Sequence, residues 1–289
     1  MVAFGSLPMI QFRYFRPRTD LRKLVSSYYF VSVSASLSDI MRAEIANVRF
    51  VLRGEICSDI GGTKRRYREG SAMLCGPTNS FSKIEFSKDA EVLGAAITPL
   101  GWRRMLKVPA EQLADQVVGL KDYVSLASIE QINAIFDASG PVRRIEAAND
   151  LFAVLDDSHQ PVHDAFLKTV TYWLTDPQPN ELDDLLTNTE ISHRQVERLC
   201  KIYFGCSPKR LHRKFRALHS ANRLTWQDLT DWRDIATTAY FDQSHFIREF
   251  KQFNGRTPSE FIKGAHILVR QTLKDRLQID HESPFSLVG

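Results

Sequence analysis

Two kinds of hydrophobic spacing divide this chain of 289 residues. Before about Gly101, apolar residues fall in short runs that are β-branched or aromatic and partly alternating: SSYYFVSVSAS (26–36), NVRFVLRGEICSDI (47–60) and EVLGAAIT (91–98). Gly61-Gly62, Gly70 and GPTN (76–79) bound them as turn signals. The pattern predicts an antiparallel barrel or sandwich. From Gly101 the spacing changes to threes and fours. Leu126, Ile129, Ile132, Ile135 and Phe136, then Val142, Ile145, Ala148, Leu151, Phe152 and Leu155, predict two amphipathic helices. Ser139-Gly140-Pro141 separates them, with Gly as a helix stop and Pro as the next start. DSHQP (157–161) reads as a linker, and everything after it reads as helical. The expected class is α+β: a small β-barrel over 1–124, a helical segment over 125–160, an all-α unit over 161–264 and a tail over 265–289 with no assigned role.

The all-α unit contains an internal repeat. ISHRQVERLCKIYFGCSPKRL (191–211) aligns with FDQSHFIREFKQFNGRTPSEF (241–261) at a constant offset of 50. Arg198 falls on Arg248, Lys201 on Lys251, Gly205 on Gly255 and Pro208 on Pro258. Upstream, Leu182, Leu185 and Leu186 fall on Trp232, Ile235 and Ala236. A supersecondary unit therefore occurs twice. Each copy reads as helix, turn, second helix, a Gly suited to a left-handed C-cap, and Ser/Thr-Pro opening a third helix. That is a helix-turn-helix.

Cysteine and histidine invite a metal or redox reading of residues 191–208, and the repeat argues against it. Cys200 shares a helical face with Val196, Leu199 and Tyr203 and aligns with Phe250, as a small core hydrophobe would. Cys206 aligns with Arg256, so the repeat requires no thiol there. His193 and Cys200 stand about 10 Å apart along a helix, too far for one zinc. The four cysteines (57, 75, 200 and 206) lack CxxC spacing and fit a reducing cytoplasm. No cofactor is expected.

Charge points instead to a polyanion. The net charge is only +4, but residues 192–223 carry nine basic groups against Glu197 alone. Residues 231–264 balance five basic groups with five acidic ones. The polar face of the first repeated helix presents Arg194, Glu197, Arg198 and Lys201; the second presents Ser244, Ile247, Arg248 and Lys251. Arg pairs with guanine, Glu accepts from cytosine and Ile contacts the thymine methyl. The expected base contacts are Arg194, Glu197, Arg198, Ser244, Ile247 and Arg248. The expected phosphate contacts are Lys201, Lys209, Arg210, Arg213, Lys214 and Lys251, most of them from the first unit.

SHRQVERLCKIYFGCSPK and DQSHFIREFKQFNGRTPSEF resemble the AraC/XylS family of bacterial transcription regulators, over about residues 161–264. The resemblance implies seven helices, with two recognition helices in successive major grooves of double-stranded DNA and a connecting helix at about Pro208–Leu224. It also implies a cupin-like N-terminal barrel that binds a small effector or mediates homodimerisation, and RNA polymerase as a partner if the protein activates. FRPRTDLRKLVSSYYF, LCGPTNS and GAAITPLGWRRML resemble a poorly characterised effector domain found on some members. One departure is IATTAYFDQS (235–244), which lacks a Gly before the aromatic pair and is one residue short. That leaves the start of the second recognition helix open by about a turn.

The leading expectation is a cytoplasmic, effector-responsive DNA-binding regulator that is not an enzyme. One alternative is a repressor whose barrel only dimerises. Another is a barrel enzyme fused to a DNA anchor, disfavoured because all eight histidines lie at or after position 159. The start, MVAFGSLPMIQFRYFRPR, does not read as a secretory leader, and no run of apolar residues is long enough to span a membrane. KRRYRE (64–69), the one charged cluster in the barrel, reads as a solvated hairpin tip, with a receptor for an anionic effector as the alternative.

Overall fold

The computed structural model describes residues 9–175, 182–189, 191–227, 229–235, 240, 242–264 and 267–276. The N-terminal part has ten strands: β1 (Ile10–Phe15), β2 (Val25–Val33), β3 (Leu37–Met41), β4 (Asn47–Arg53), β5 (Glu55–Ile60), β6 (Thr63–Arg68), β7 (Ala72–Cys75), β8 (Ser82–Phe86), β9 (Glu91–Ile97) and β10 (Val117–Gly119). They form a six-stranded sheet, β1-β2-β9-β4-β7-β10, and a four-stranded sheet, β3-β8-β5-β6. All pairings are antiparallel, as where Val48 of β4 sits between Ala95 of β9 and Leu74 of β7.

Both faces of the larger sheet are covered, so its central strands do not alternate apolar with polar. On β4, Val48, Phe50 and Leu52 pack outward with Trp102, Ile132 and Phe152. Val51 packs inward with Ile56, Ile84 and Phe86 of the smaller sheet. NVRFVLRGEICSDI, read above as one run, is two strands in two sheets. Gly54, at φ +73°, makes the turn, and its site has no room for a Cβ beside Ser87. KRRYRE lies on β6, an exposed edge strand rather than a hairpin tip; the tip is Gly61-Gly62. Lys and Arg on an edge discourage pairing with another chain.

The described residues also form ten α-helices, the first of them between β9 and β10. α1 (Pro99–Met105), α2 (Ala127–Asp137) and α3 (Gly140–Leu155) cover the outer face of the larger sheet. The break falls where the spacing predicts, but Gly140 does not stop α2: that helix ends at Asp137 with Ala138 extended at its C-cap, and Ser139 is the N-cap of α3, which Gly140 opens. The linker at 157–161 is without regular structure. α4 (Asp164–Thr175), α5 (Leu182–Asn188) and α6 (His193–Phe204) build the first helix-turn-helix core around Leu185, Val196, Leu199 and Cys200. α7 (Pro208–Trp226) is the connecting helix. α8 (Gln243–Asn254) and α9 (Pro258–Lys263) belong to the second unit, whose core holds Ile235, Phe246, Phe250 and Phe261. The tail contributes α10 (Ile267–Arg276), which packs into the second core through Val269 and Leu273. No helix among the described residues is long and apolar enough to cross a membrane.

Candidate nucleic-acid interface

The two recognition helices are built alike. Ser192 caps α6, its side chain accepting from the Gln195 N–H, and Asp242 caps α8, accepting from the His245 N–H. Each helix ends at a left-handed glycine, Gly205 at φ +77° and Gly255 at φ +75°. Caps and glycines keep the offset of 50 throughout. The second recognition helix therefore starts in register with the first; residues 236–239 and 241 of the short turn lie outside the described residues.

These glycines also dock both helices onto the barrel. A Cβ at Gly205 would lie 2.7 Å from Pro77, and one at Gly255 would clash with Ile40. The C-terminal ends of α6 and α8 therefore face the barrel, while the polar face of each N-terminal half is open to solvent and Val196 and Phe246 on the opposite face are buried. Arg194, Arg198 and Lys201 on α6 are exposed, as are Ser244, Arg248 and Lys251 on α8. Glu197 is half-buried. Ile247 is half-buried and rests against the second core. Lys209 and Arg210 are exposed on the first turn of α7.

Two of the expected phosphate contacts are placed otherwise. Lys214 is 2% exposed, and its Nζ donates to the Glu44 carbonyl of the barrel at 2.5 Å. Burial lowers its amine from 10.5 to about 8. It shares a stripe with Leu211, Phe215 and Leu218, so in this arrangement it is an interface residue and not a phosphate ligand. Arg213 turns along the protein: its Nε donates to Glu249 Oε2 at 2.7 Å and its Nη2 to Gln252 Oε1 at 3.0 Å. Glu249, wholly buried, also accepts from Arg216 at 2.8 Å and 3.0 Å. These pairs join α7 to α8. Sequence reasoning missed Glu249, although a signal was present: it aligns with the core residue Leu199, where a carboxylate must find cations.

The thiols of α6 and of the residue after its C-cap are core groups. Cys200 is fully buried and Cys206 is 6% exposed. Burial raises both, Cys206 to about 11, so they are protonated near neutrality.

A pocket with about 640 Å³ of empty space, its open mouth included, lies between the two sheets. Phe12, Tyr14, Val31, Ile56, Ile84 and Phe86 supply apolar walls. One end is polar, with Arg42, Glu44 and Arg49, and α10 contributes Leu268, Val269 and Thr272. Arg49 alternates inward on β4 and is 7% exposed. Its Nη2 donates to both oxygens of Glu44 at 2.7 Å, and its Nε donates to the Tyr29 hydroxyl at 2.9 Å. Among the described residues, no group of three or more His, Cys, Asp or Glu is placed to hold a metal ion.

Family models match the chain in two places. One, described as a helix-turn-helix domain, covers residues 185–264. The other, a domain of unknown function (DUF6597), covers residues 13–119. The chain is 26% identical over 87 residues to the HTH-type transcriptional regulator GbdR of Pseudomonas aeruginosa, a match covering 30% of this chain and 24% of GbdR. The match thus spans about a quarter of that relative's length. Among solved structures, the chain is similar to ToxT from Vibrio cholerae, at 12% identity and a TM-score of 0.48, over 88% of this chain and 98% of ToxT. It is also similar to KdgF from Halomonas sp., at 16% identity and a TM-score of 0.25, over 32% of this chain and 83% of KdgF.

Proposed function

Because the chain carries an AraC-type helix-turn-helix domain behind a DUF6597 domain, we propose that it is a sequence-specific DNA-binding transcription regulator governed by a small effector in its barrel. The carrying observation is the repeated recognition helix. Two copies share caps, glycine ends and register, and each turns the polar face of its N-terminal half to solvent. An N-terminal half free to meet base edges is what major-groove reading by a helix-turn-helix requires.

In this reading α6 and α8 enter successive major grooves. Arg194, Glu197 and Arg198 contact bases in one; Ser244, Ile247 and Arg248 do so in the other. Lys201, Lys209, Arg210 and Lys251 lie on phosphates, which position the protein without reading sequence. The half-buried Ile247 offers the outer part of its side chain to a thymine methyl. The barrel pocket supports an effector-responsive regulator over a barrel that only dimerises, since apolar walls with a few convergent polar groups are the usual form of a small-molecule site. The functional unit is a cytoplasmic homodimer, with RNA polymerase as partner if it activates.

Selection of the full-length protein on random duplexes tests the reading. A site of about 20 base pairs with two separated blocks of preferred bases is expected. Enrichment of no sequence, or of one block alone, would overturn it.

A further inference from the structure

We propose that the Lys214 amine, in a cavity between the barrel and the first helix-turn-helix unit, is a covalent site for a small apolar aldehyde, which it takes up as an imine. This cavity shares no lining residue with the pocket between the sheets, and the inference rests on neither the effector reading nor the DNA-binding reading.

The walls of the cavity are apolar, and its amine has no counter-charge. About 320 Å³ of empty space, the open mouth included, lies among Ile45, Ile97, Trp102, Phe204, Leu211 and Phe215. The other polar side chains of the lining are satisfied. Thr98 Oγ1 accepts from the Gly101 N–H at 2.9 Å, the Trp102 indole N–H donates to the Val108 carbonyl at 2.8 Å, and the Tyr203 hydroxyl accepts from the His163 N–H at 3.0 Å. Lys214 Nζ donates to the Glu44 carbonyl at 2.5 Å and forms no ion pair among the described residues. The two carboxylates whose charge reaches it are held elsewhere, Glu44 by Arg49 at 2.7 Å and Asp115 by Asn79 at 2.6 Å and 3.0 Å. A buried ammonium without a counter-ion gives up its proton readily, and this one is lowered to about 8. At about pH 7.5 roughly a quarter of it is neutral, against about one in a thousand for an ordinary lysine.

A desolvated lysine in an apolar pocket is the form in which this side chain attacks carbonyl carbons. The ammonium first gives one proton to solvent at the cavity mouth. The neutral amine keeps an N–H for the Glu44 carbonyl and offers its lone pair to the aldehyde carbon. Both amine hydrogens then leave with the carbonyl oxygen as one water, and a C=N bond replaces C=O. An anion would find a single donor amid apolar walls, whereas a carbonyl carbon needs only the lone pair. The same walls call for an apolar body, and the size of the cavity keeps it small. Docking of the two domains makes the cavity: Ile45, Ala46 and Ile97 come from the barrel, Leu211 and Phe215 from α7. A strap from Asp39 to Ile45 holds the two sides together. Asp39 accepts from Arg256, Arg42 Nη1 donates to Asn222 Oδ1 at 2.6 Å, and the Ala43 N–H donates to the Phe253 carbonyl at 2.7 Å.

The test uses the full-length protein without DNA. Limiting propanal is added with cyanoborohydride, which reduces the imine to a propylamine that survives digestion, and the propylated lysines are mapped by peptide mass. At about pH 7.5 Lys214 should be propylated at least roughly tenfold more than Lys201 or Lys209, which are exposed in the same unit; the excess of neutral amine, about two-hundredfold, leaves room for slower access. Labelling of Lys214 should rise through about pH 8 and level off, while that of Lys201 and Lys209 goes on rising toward the ordinary lysine range. In urea strong enough to unfold the protein the preference should vanish, since the cavity is then gone. Propylation of Lys214 no greater than that of Lys201 and Lys209, a pH profile parallel to theirs, or a preference that survives in urea would each overturn the proposal. All three results are read on the wild-type protein, so none depends on a variant that folds.

Discussion

Replacing Lys214 with Met should flatten one part of the protein's pH–stability curve. Lys214 is 2% exposed, and its amine is lowered from 10.5 to about 8 by burial. That displacement corresponds to about 3 kcal/mol favouring the neutral form in the folded protein. Below about pH 8 the amine is charged in both states and the desolvation cost is at its full value. Between about pH 8 and 10.5 the unfolded chain holds more proton than the folded one, so stability rises with pH. Above 10.5 both forms are neutral and the cost is gone. Integrating between about pH 8 and about pH 9.5 gives a gain of about 1.5 kcal/mol from this residue alone. Cysteines and tyrosines titrate over the same range but are common to both proteins, so the difference between wild type and Lys214→Met isolates the lysine. At pH 7 the variant loses one hydrogen bond from a charged donor, about 1.5–3 kcal/mol, and is relieved of a desolvation cost of about 3 kcal/mol. It should therefore be at least as stable as wild type, by about 0–1.5 kcal/mol. Urea denaturation of both proteins at the two higher pH values and at pH 7 measures all three quantities. Parallel pH profiles, or a variant less stable at pH 7, would refute the argument that this lysine is buried at an electrostatic cost.

Glu249→Leu installs the residue found at the equivalent position of the first unit, yet it should cost about 2–4 kcal/mol, because Arg213 and Arg216 lose their shared carboxylate. Urea denaturation measures this; a neutral or stabilising effect would mean that the buried pairs do not hold α7 to α8. Lys209→Gln/Arg210→Gln should weaken binding to all duplexes alike and reduce the slope of log affinity against log salt by about 1.8, the value for two phosphates. Fluorescence anisotropy over a salt series gives the slope, and an unchanged one would remove both residues from the phosphate contacts.

Local features were legible in the sequence, and contacts across the chain were not. The offset of 50 located both recognition helices, because caps, glycine ends and apolar stripes are written within about 20 residues. The boundary at Ser139-Gly140-Pro141 was readable for the same reason. The strap from Asp39 to Ile45 was not: Asp39 and Arg256 are 217 positions apart, and no local pattern encodes their pairing. Charge alone places Arg213 and Lys214 on phosphates; the spacing of Leu211, Phe215 and Leu218 puts Lys214 beside the core. Arg49 was hidden in the same way, as a charge inside a strand buried on both faces. α10 follows the repeat and had no second copy to mark it.

The central claim is that both recognition helices read DNA together, and methylation interference on a selected duplex tests it most directly. Wild-type protein should give two clusters of guanines whose methylation blocks binding, about one helical turn, roughly 34 Å, apart. Arg198→Ala should erase one cluster and Arg248→Ala the other, each leaving its neighbour in place. A single cluster, or two clusters that respond alike to both substitutions, would contradict the account.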